Sequence, residues 1–147
     1  MAEHPSNTDL ADRLTKRRAR MMPALTAIFL IQQVSYFSQI PGERLVDHVR
    51  IGAWMVMSAV LLAFLISGGA WIRSAAVRAL MNDEVTRENR ASAMQFGFVL
   101  ALGGAIALYP FIDQLELNAR QVIHLIVSLG LAAAMLRFGL LERRALG

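Results

Sequence analysis

The stretch ASAMQFGFVLALGGAIALYPFI, residues 91–112, runs for 22 residues without a charged side chain. A helix rises about 1.5 Å per residue and a bilayer's hydrocarbon core is about 30 Å thick, so about 20 apolar residues make one crossing. Cutting the rest of the chain at its charged residues gives three more such windows, 21–42, 51–72 and 121–136. The pattern predicts an all-α membrane protein, a four-transmembrane-helix bundle with spans at about 21–40, 50–72, 91–112 and 122–140. The fourth window is the shortest. Arg137 is expected to end it as an interface anchor, its stem in hydrocarbon and its guanidinium at the headgroups. The remaining pieces are an N-terminal segment 1–20, a hairpin 73–90, a tail 141–147 and two short loops, none long enough for a soluble core. That excludes a catalytic domain outside the membrane. With 56% hydrophobic and 18% charged residues, the composition agrees.

Arginine and lysine assign the sides. Twelve of the 15 basic residues flank the start of span one, the 73–90 hairpin or the end of span four, against Arg44, Arg50 and Arg120 on the other side. By the positive-inside rule both termini and the hairpin are expected in the cytoplasm. No small-residue cleavage site follows the first apolar run, so the first span is expected to persist. The net charge of +4 and the pI near 10.6 then record orientation, and direct nucleic-acid binding is not expected.

Residues 72–81 contain neither Gly nor Pro, so span two is expected to continue as helix into the cytoplasm. Asn82, followed by Asp83 and Glu84, reads as the cap of the next helix, with Asp83 and Arg87 spaced to pair. Spans two and three would then form one long hairpin. Asn7 to Arg20 reads as a short cytoplasmic amphipathic helix, with Pro23 opening span one behind it. Pro41 and Pro110 stop helices at the outer side.

Helices in lipid associate through small residues that let backbones approach. Ala93, Gly97, Ala101 and Ala105 recur every four residues on span three, as do Ala59, Ala63 and Ser67 on span two, with Ser128 and Ala132 on span four. These faces are expected to build the bundle core; a homo-oligomer seam is their other use. Span one differs. Gln32, Ser35, Tyr36 and Gln39 share one polar stripe that must face protein or water. Interhelical hydrogen bonding accounts for it, and a substrate path through a small oligomeric transporter or channel is the alternative. No Asp, Glu, Lys or Arg lies in the middle of any span, which counts against a proton-driven exporter.

The pattern Arg-x-Val-x-His occurs twice, at Arg44–His48 before span two and at Arg120–His124 opening span four. A tandem repeat of two helical hairpins would explain it. The pair His48 and His124 could ligate a metal or haem iron for electron transfer, but an interfacial Arg and His pair at each outer helix start, solvated or bonded to headgroup phosphate, is the favoured reading, and no resident cofactor is expected. The chain has no cysteine and no nucleophile elbow, and Asp113 with Glu116 reads as a solvated loop, so no enzyme is expected.

The segment Met81-Asn-Asp-Glu-Val-Thr-Arg-Glu-Asn-Arg90, followed by a small-residue span, resembles one found in small bacterial four-span proteins of poorly defined function. The likeness covers about residues 73–140 and rests on Asn82, Asp83, Glu84, Arg87 and Arg90. Some such proteins are membrane partners of small helix-turn-helix regulators, and the resemblance implies that role. The expected function is therefore non-enzymatic. It combines contact with the lipid bilayer and a cytoplasmic or membrane protein partner, bound at the hairpin through Arg73, Arg78, Asn82, Asp83, Glu84, Arg87 and Arg90.

Overall fold

The structure, a computed structural model, describes residues 6–37, 45–69 and 75–146. It is all-helical over those residues: α1 (Asn7–Phe37), α2 (Leu45–Ser67), α3 (Ala75–Met81), α4 (Glu84–Leu108) and α5 (Ala119–Ala145), with a 3-10 turn at Tyr109–Phe111. Cross-helix pairs fix the directions. Residues 18 and 33 of α1 meet 142 and 124 of α5, so these two helices are antiparallel. Asn89 and Ser92 of α4 meet Glu142 and Arg137, which makes α4 antiparallel to α5 as well. Trp54 of α2 meets Ser128, while Gly68 at the end of α2 shares Arg18 with Glu142 near the end of α5, so α2 and α5 run the same way. The long helices therefore alternate in direction along the chain. The end holding the start of α1 and the finish of α5 is here the basal end, the other the distal end.

Among the described residues, three helices are long and apolar enough to cross a membrane: His48–Ser67, Glu84–Phe111 and Ala119–Ala145. The first and third of these overlap the expected spans two and four, and α5 extends its span at both ends. The second begins at Glu84, well before residue 91. The first expected span does not qualify over the described residues. Its apolar run is bounded by the basic residues up to Arg20 on one side and by Gln32 and Gln33 on the other. Large apolar side chains cover the outside of every long helix; Phe98 and Ile106 of α4 expose 65% and 75% of their surface. A surface of that kind is suited to lipid.

α5 is the central helix, packed against both α1 and α4 and touching α2. Its inward residues His124, Ser128, Leu131, Met135, Phe138 and Glu142 recur at alternating steps of four and three, the spacing of one helix face. The matching face of α1 is Ala11, Arg18, Met22, Thr26, Phe29 and Gln33. Between these faces lies an apolar core of Met22, Phe29, Leu131, Met135 and Phe138, with Leu61 and Leu65 from α2.

The α4–α5 seam uses small residues, as expected for α4. A Cβ added to Gly97 would stand 2.5 Å from the Gly130 carbonyl and 2.7 Å from the Ala134 Cβ, and one on Gly130 would stand 2.9 Å from the Ala101 Cβ. Ala93 is fully buried and Ala105 half-buried. The partners of this face on α5 are Gly130 and Ala134 as well as the expected Ser128 and Ala132, both buried. On α2 the expectation fails. Ala59 is exposed and Ala63 and Ser67 are half-buried, while the buried face carries Ser58, Leu61 and Leu65. Bulky side chains keep the α2 backbone at a distance, so small residues on it have no groove to enter.

Three local expectations are corrected. Span two does not continue straight as helix: Ser67 ends α2, and Gly68 and Gly69 turn the chain at φ +70° and +75°, a region that side chains with a Cβ disfavour. α3 then folds back onto α1, where Val77 and Met81 pack against Ala11. The cap of α4 is Asp83, not Asn82; its carboxylate accepts from the Thr86 N–H at 2.9 Å, and no ion pair joins it to Arg87. Pro23 does not open a helix but lies inside α1, which runs unbroken from the N-terminal segment. A proline there leaves the carbonyl four residues back without its helical donor. That carbonyl is Ala19 O, and Arg143 Nε donates to it at 3.2 Å. Pro110 does end α4, and Pro41 lies outside the described residues. Arg137 is bound within the bundle, its guanidinium donating to Ser92 Oγ at 3.1 and 3.3 Å and lying 4.9 Å from the Phe96 ring centre.

The seam makes a paired prediction. Gly97→Ala should destabilise the folded protein by about 1–3 kcal/mol, because backbone must move to admit the methyl group. Gly103→Ala, whose Cβ would meet nothing within 4 Å, should be neutral or stabilising. Thermal unfolding in detergent compares them; equal melting points would show that α4 and α5 are not in close contact.

Candidate functional site

Two polar clusters stand at opposite ends of the apolar core. At the basal end Arg18 is buried and gathers four other segments around its guanidinium. Nη1 donates to Gly68 O at 3.0 Å and Met81 O at 3.4 Å, the carbonyls that close α2 and α3. Nη2 donates to Thr86 Oγ1 at 3.3 Å, in the first turn of α4, and to the Glu142 carboxylate of α5. Glu142 also accepts from Asn89 Nδ2 at 3.2 Å, and the Arg18 guanidinium lies 5.4 Å from the Phe138 ring centre. Among the described residues this is the one ion pair. Asn82 works alongside it. Its amide donates to Ser67 O at 3.4 Å and accepts from Arg90 Nη1 at 3.3 Å, clasping the end of α2 to α4.

Around this hub lies a basal platform formed by the first half of α1 and by α3, with its own small apolar cluster of Ala11, Val77 and Met81 flanked by Leu10 and Leu14. Of the expected partner-binding residues, Asp83, Glu84 and Arg87 are exposed there. Asn82 and Arg90 are half-buried and hold structure. Arg78 belongs to α3, its side chain outside the description, and Arg73 lies outside the described residues. Exposed Leu80 and Val85 flank the charged residues, and Arg13, Lys16, Arg17 and Arg20 line α1.

At the distal end the buried amide is Gln33. Gln32, from the expected stripe, is only half-buried; Ser35 and Tyr36 close α1 with side chains outside the description, and Gln39 lies outside the described residues. Gln33 Nε2 donates to Phe29 O at 2.9 Å, which fixes the orientation of its amide. Its oxygen accepts from Ser128 Oγ at 3.2 Å and bonds His124 Nε2. Since an amide oxygen only accepts, that nitrogen carries the hydrogen. Trp54 Nε1 donates to Ser128 at 3.2 Å, and its ring stacks on His124 at 4.3 Å and 22°. Each buried polar group thus orients the next.

Beside Trp54 and His124 a cavity of about 470 Å³ lies between the first turns of α2 and α5. His48 and Arg120 line it together with His124, so the two histidines of the repeated pattern face one space. Among the described residues no three His, Cys, Asp or Glu side chains gather to hold a metal ion. The sequence reading missed Arg18, Glu142, Gln33 and Trp54. A signal for three of them was present: Arg18 and Gln33 continue the Met22–Phe29 face of α1, and Glu142 that of Met135 and Phe138. Polar residues in register with a buried stripe are candidates for buried pairing. No protein-family model, curated protein or solved structure matches this chain.

The hub yields a double-mutant test. Glu142→Met should destabilise by about 3–5 kcal/mol by leaving the Arg18 guanidinium buried without its counter-charge. Arg18→Met with Glu142→Met should cost much less than the two single changes added together. Additive losses in chemical unfolding would show that the two side chains are not paired.

Proposed function

We propose that this chain is a non-enzymatic, four-span protein of the bacterial inner membrane, both termini cytoplasmic, whose basal platform binds a cytoplasmic protein partner. The observation that carries the reading is the platform itself. Orientation by positive charge needs only basic flanks. Here the flank is folded: α3 is packed onto α1 at Ala11, about 10 Å of helix beyond Arg18, and Leu80 and Val85 stand exposed among charged groups. A mixed apolar and charged surface fixed in shape suits a protein interface better than a lipid headgroup layer. A cytoplasmic transcriptional regulator held at the membrane is the kind of partner the segment 81–90 implies.

The clusters also support α1 as the fourth span. From Arg18 to Gln33 is 15 residues, about 22 Å of helix, and from His124 to Glu142 is 18, about 27 Å. Two buried polar layers so separated fit just inside one hydrocarbon thickness. Between them the described interior is mainly apolar, with Met22, Phe29, Leu65, Met135 and Phe138 alongside the buried hydroxyls of Thr26 and Ser58, and Thr26 is bonded to its own helix, which favours a scaffold over a polar conduction path.

Two experiments test this. The chain has no cysteine, so single cysteines report sidedness without background. Asp113→Cys should react with a membrane-impermeant maleimide on intact spheroplasts, whereas Ser6→Cys and Ala145→Cys should react only after permeabilisation. Labelling of Ser6→Cys from outside would remove the fourth span. For the partner, the triple variant Arg13→Glu, Arg17→Glu, Arg87→Glu should insert normally yet lose a protein that co-purifies with the parent from native membranes. Recovery of that protein with the variant, or of none with the parent, sinks the reading.

A further inference from the structure

The distal cavity has a chemistry that the platform does not explain. Its polar lining is made of basic residue types: Arg120 and His48 at the rim, with His124 on the inner wall. Arg120 and His48 are exposed and make no hydrogen bond or ion pair among the described residues, whose part of the lining holds no carboxylate. At the start of α5 the Asn118 and Gln121 N–H groups are already taken by their reciprocal capping box.

The rest of the wall is apolar. Ile51, Met55 and Ile123 complete the lining, and Met55 and Ile123 continue outward as exposed surface, at 58% and 59%. Trp54 forms a floor that cannot swing aside freely, because His124 stacks on its face and Ser128 holds its N–H. His48 begins the membrane-crossing stretch of α2, and Arg120 is the second residue of that of α5. The cationic rim is thus at the depth of headgroups and the apolar side at the depth of acyl chains.

From this arrangement we infer that the cavity is a binding site for an anionic phospholipid, its phosphate held by Arg120 and His48 and its first acyl carbons against Ile51, Met55 and Ile123. The cavity's volume is within the range of small-molecule sites and suits a headgroup, with the chains continuing along the exposed apolar faces of α2 and α5. Arginine matches phosphate geometry through paired N–H donors, so it supplies most of the preference for an anion. The inference is independent of the protein partner, at the opposite end of the bundle.

The test is native mass spectrometry of the protein in neutral detergent, with phosphatidylglycerol and phosphatidylcholine as competing probes. Phosphatidylglycerol adducts should survive activation that strips phosphatidylcholine. Arg120→Gln should weaken them about tenfold, as loss of one charge-assisted contact implies, and His48→Gln should weaken them less. Arg144→Gln, at the basal end, should leave them unchanged. Both rim variants should keep the parent's melting point without lipid, because neither side chain holds structure. Equal retention of the two lipids, or adducts indifferent to Arg120→Gln, would overturn the site. So would stabilisation by inorganic phosphate alone with nothing added by lipid, which would assign the cations to a soluble anion. A Soret band on titration with haemin, abolished by His48→Gln, would overturn it in favour of haem.

Discussion

A guanidinium buried at a helix junction must find a counter-charge and acceptors, and much of the basal architecture follows from how Arg18 does so. Its bonds reach Gly68, Met81, Thr86 and Glu142, which belong to four different segments. α3 needs no extensive contact with α2, α4 or α5 once each is bonded to the same group. This is how α3, only seven residues long, is held in place although a helix of that length has little stability alone. It also explains why α2 stops where it does. The carbonyl at Gly68 is an acceptor for Arg18, and the turn that presents it needs a left-handed backbone.

The interior obeys a second constraint, which comes from lipid. Without a hydrophobic drive between helices, contact must be close or must be polar. α4 and α5 use the first solution, Gly97 and Ala101 against Gly130 and Ala134. α1 and α5 use the second at both ends, with Phe29, Met135 and Phe138 filling the space between. α2 turns mainly bulky side chains inward, with Ser58 among them. It is held to α5 through Trp54 and through Leu61 and Leu65. The cavity lies where that looser attachment leaves space between two helix starts.

Much of the helical framework could be read from the chain, and the parts that could not be read share a cause. The uncharged windows located α2, α4 and α5 because the cost of a charge in hydrocarbon is local and large. The small-residue face of α4 was legible because it repeats every four residues. The face proposed on α2 has the same spacing, yet Ala59 points outward, because spacing marks a face without saying what lies opposite. Asn82 and Asp83 are both good caps, and the choice between them was made by Ser67 and Arg90, which engage Asn82. Gln33 and Gln32 are neighbours in sequence but about 100° apart around a helix, so only the position of α5 decides which is buried. The two histidines were legible as a repeated pattern; that they line one cavity depends on α2 and α5 being parallel neighbours.

By itself, the sequence determined the helical class, the approximate limits of the apolar helices and the asymmetry of positive charge, since each depends on how single residues partition between water and hydrocarbon. Tertiary structure decided which polar residues became buried partners. Arg18 is one of five basic residues before Pro23, and Glu142 lies beside two arginines in a tail that reads as solvated. Nothing local separates them from their neighbours. Their pairing arises because α1 and α5 are antiparallel and in contact, which brings positions 124 residues apart to the same level at the basal end of the core.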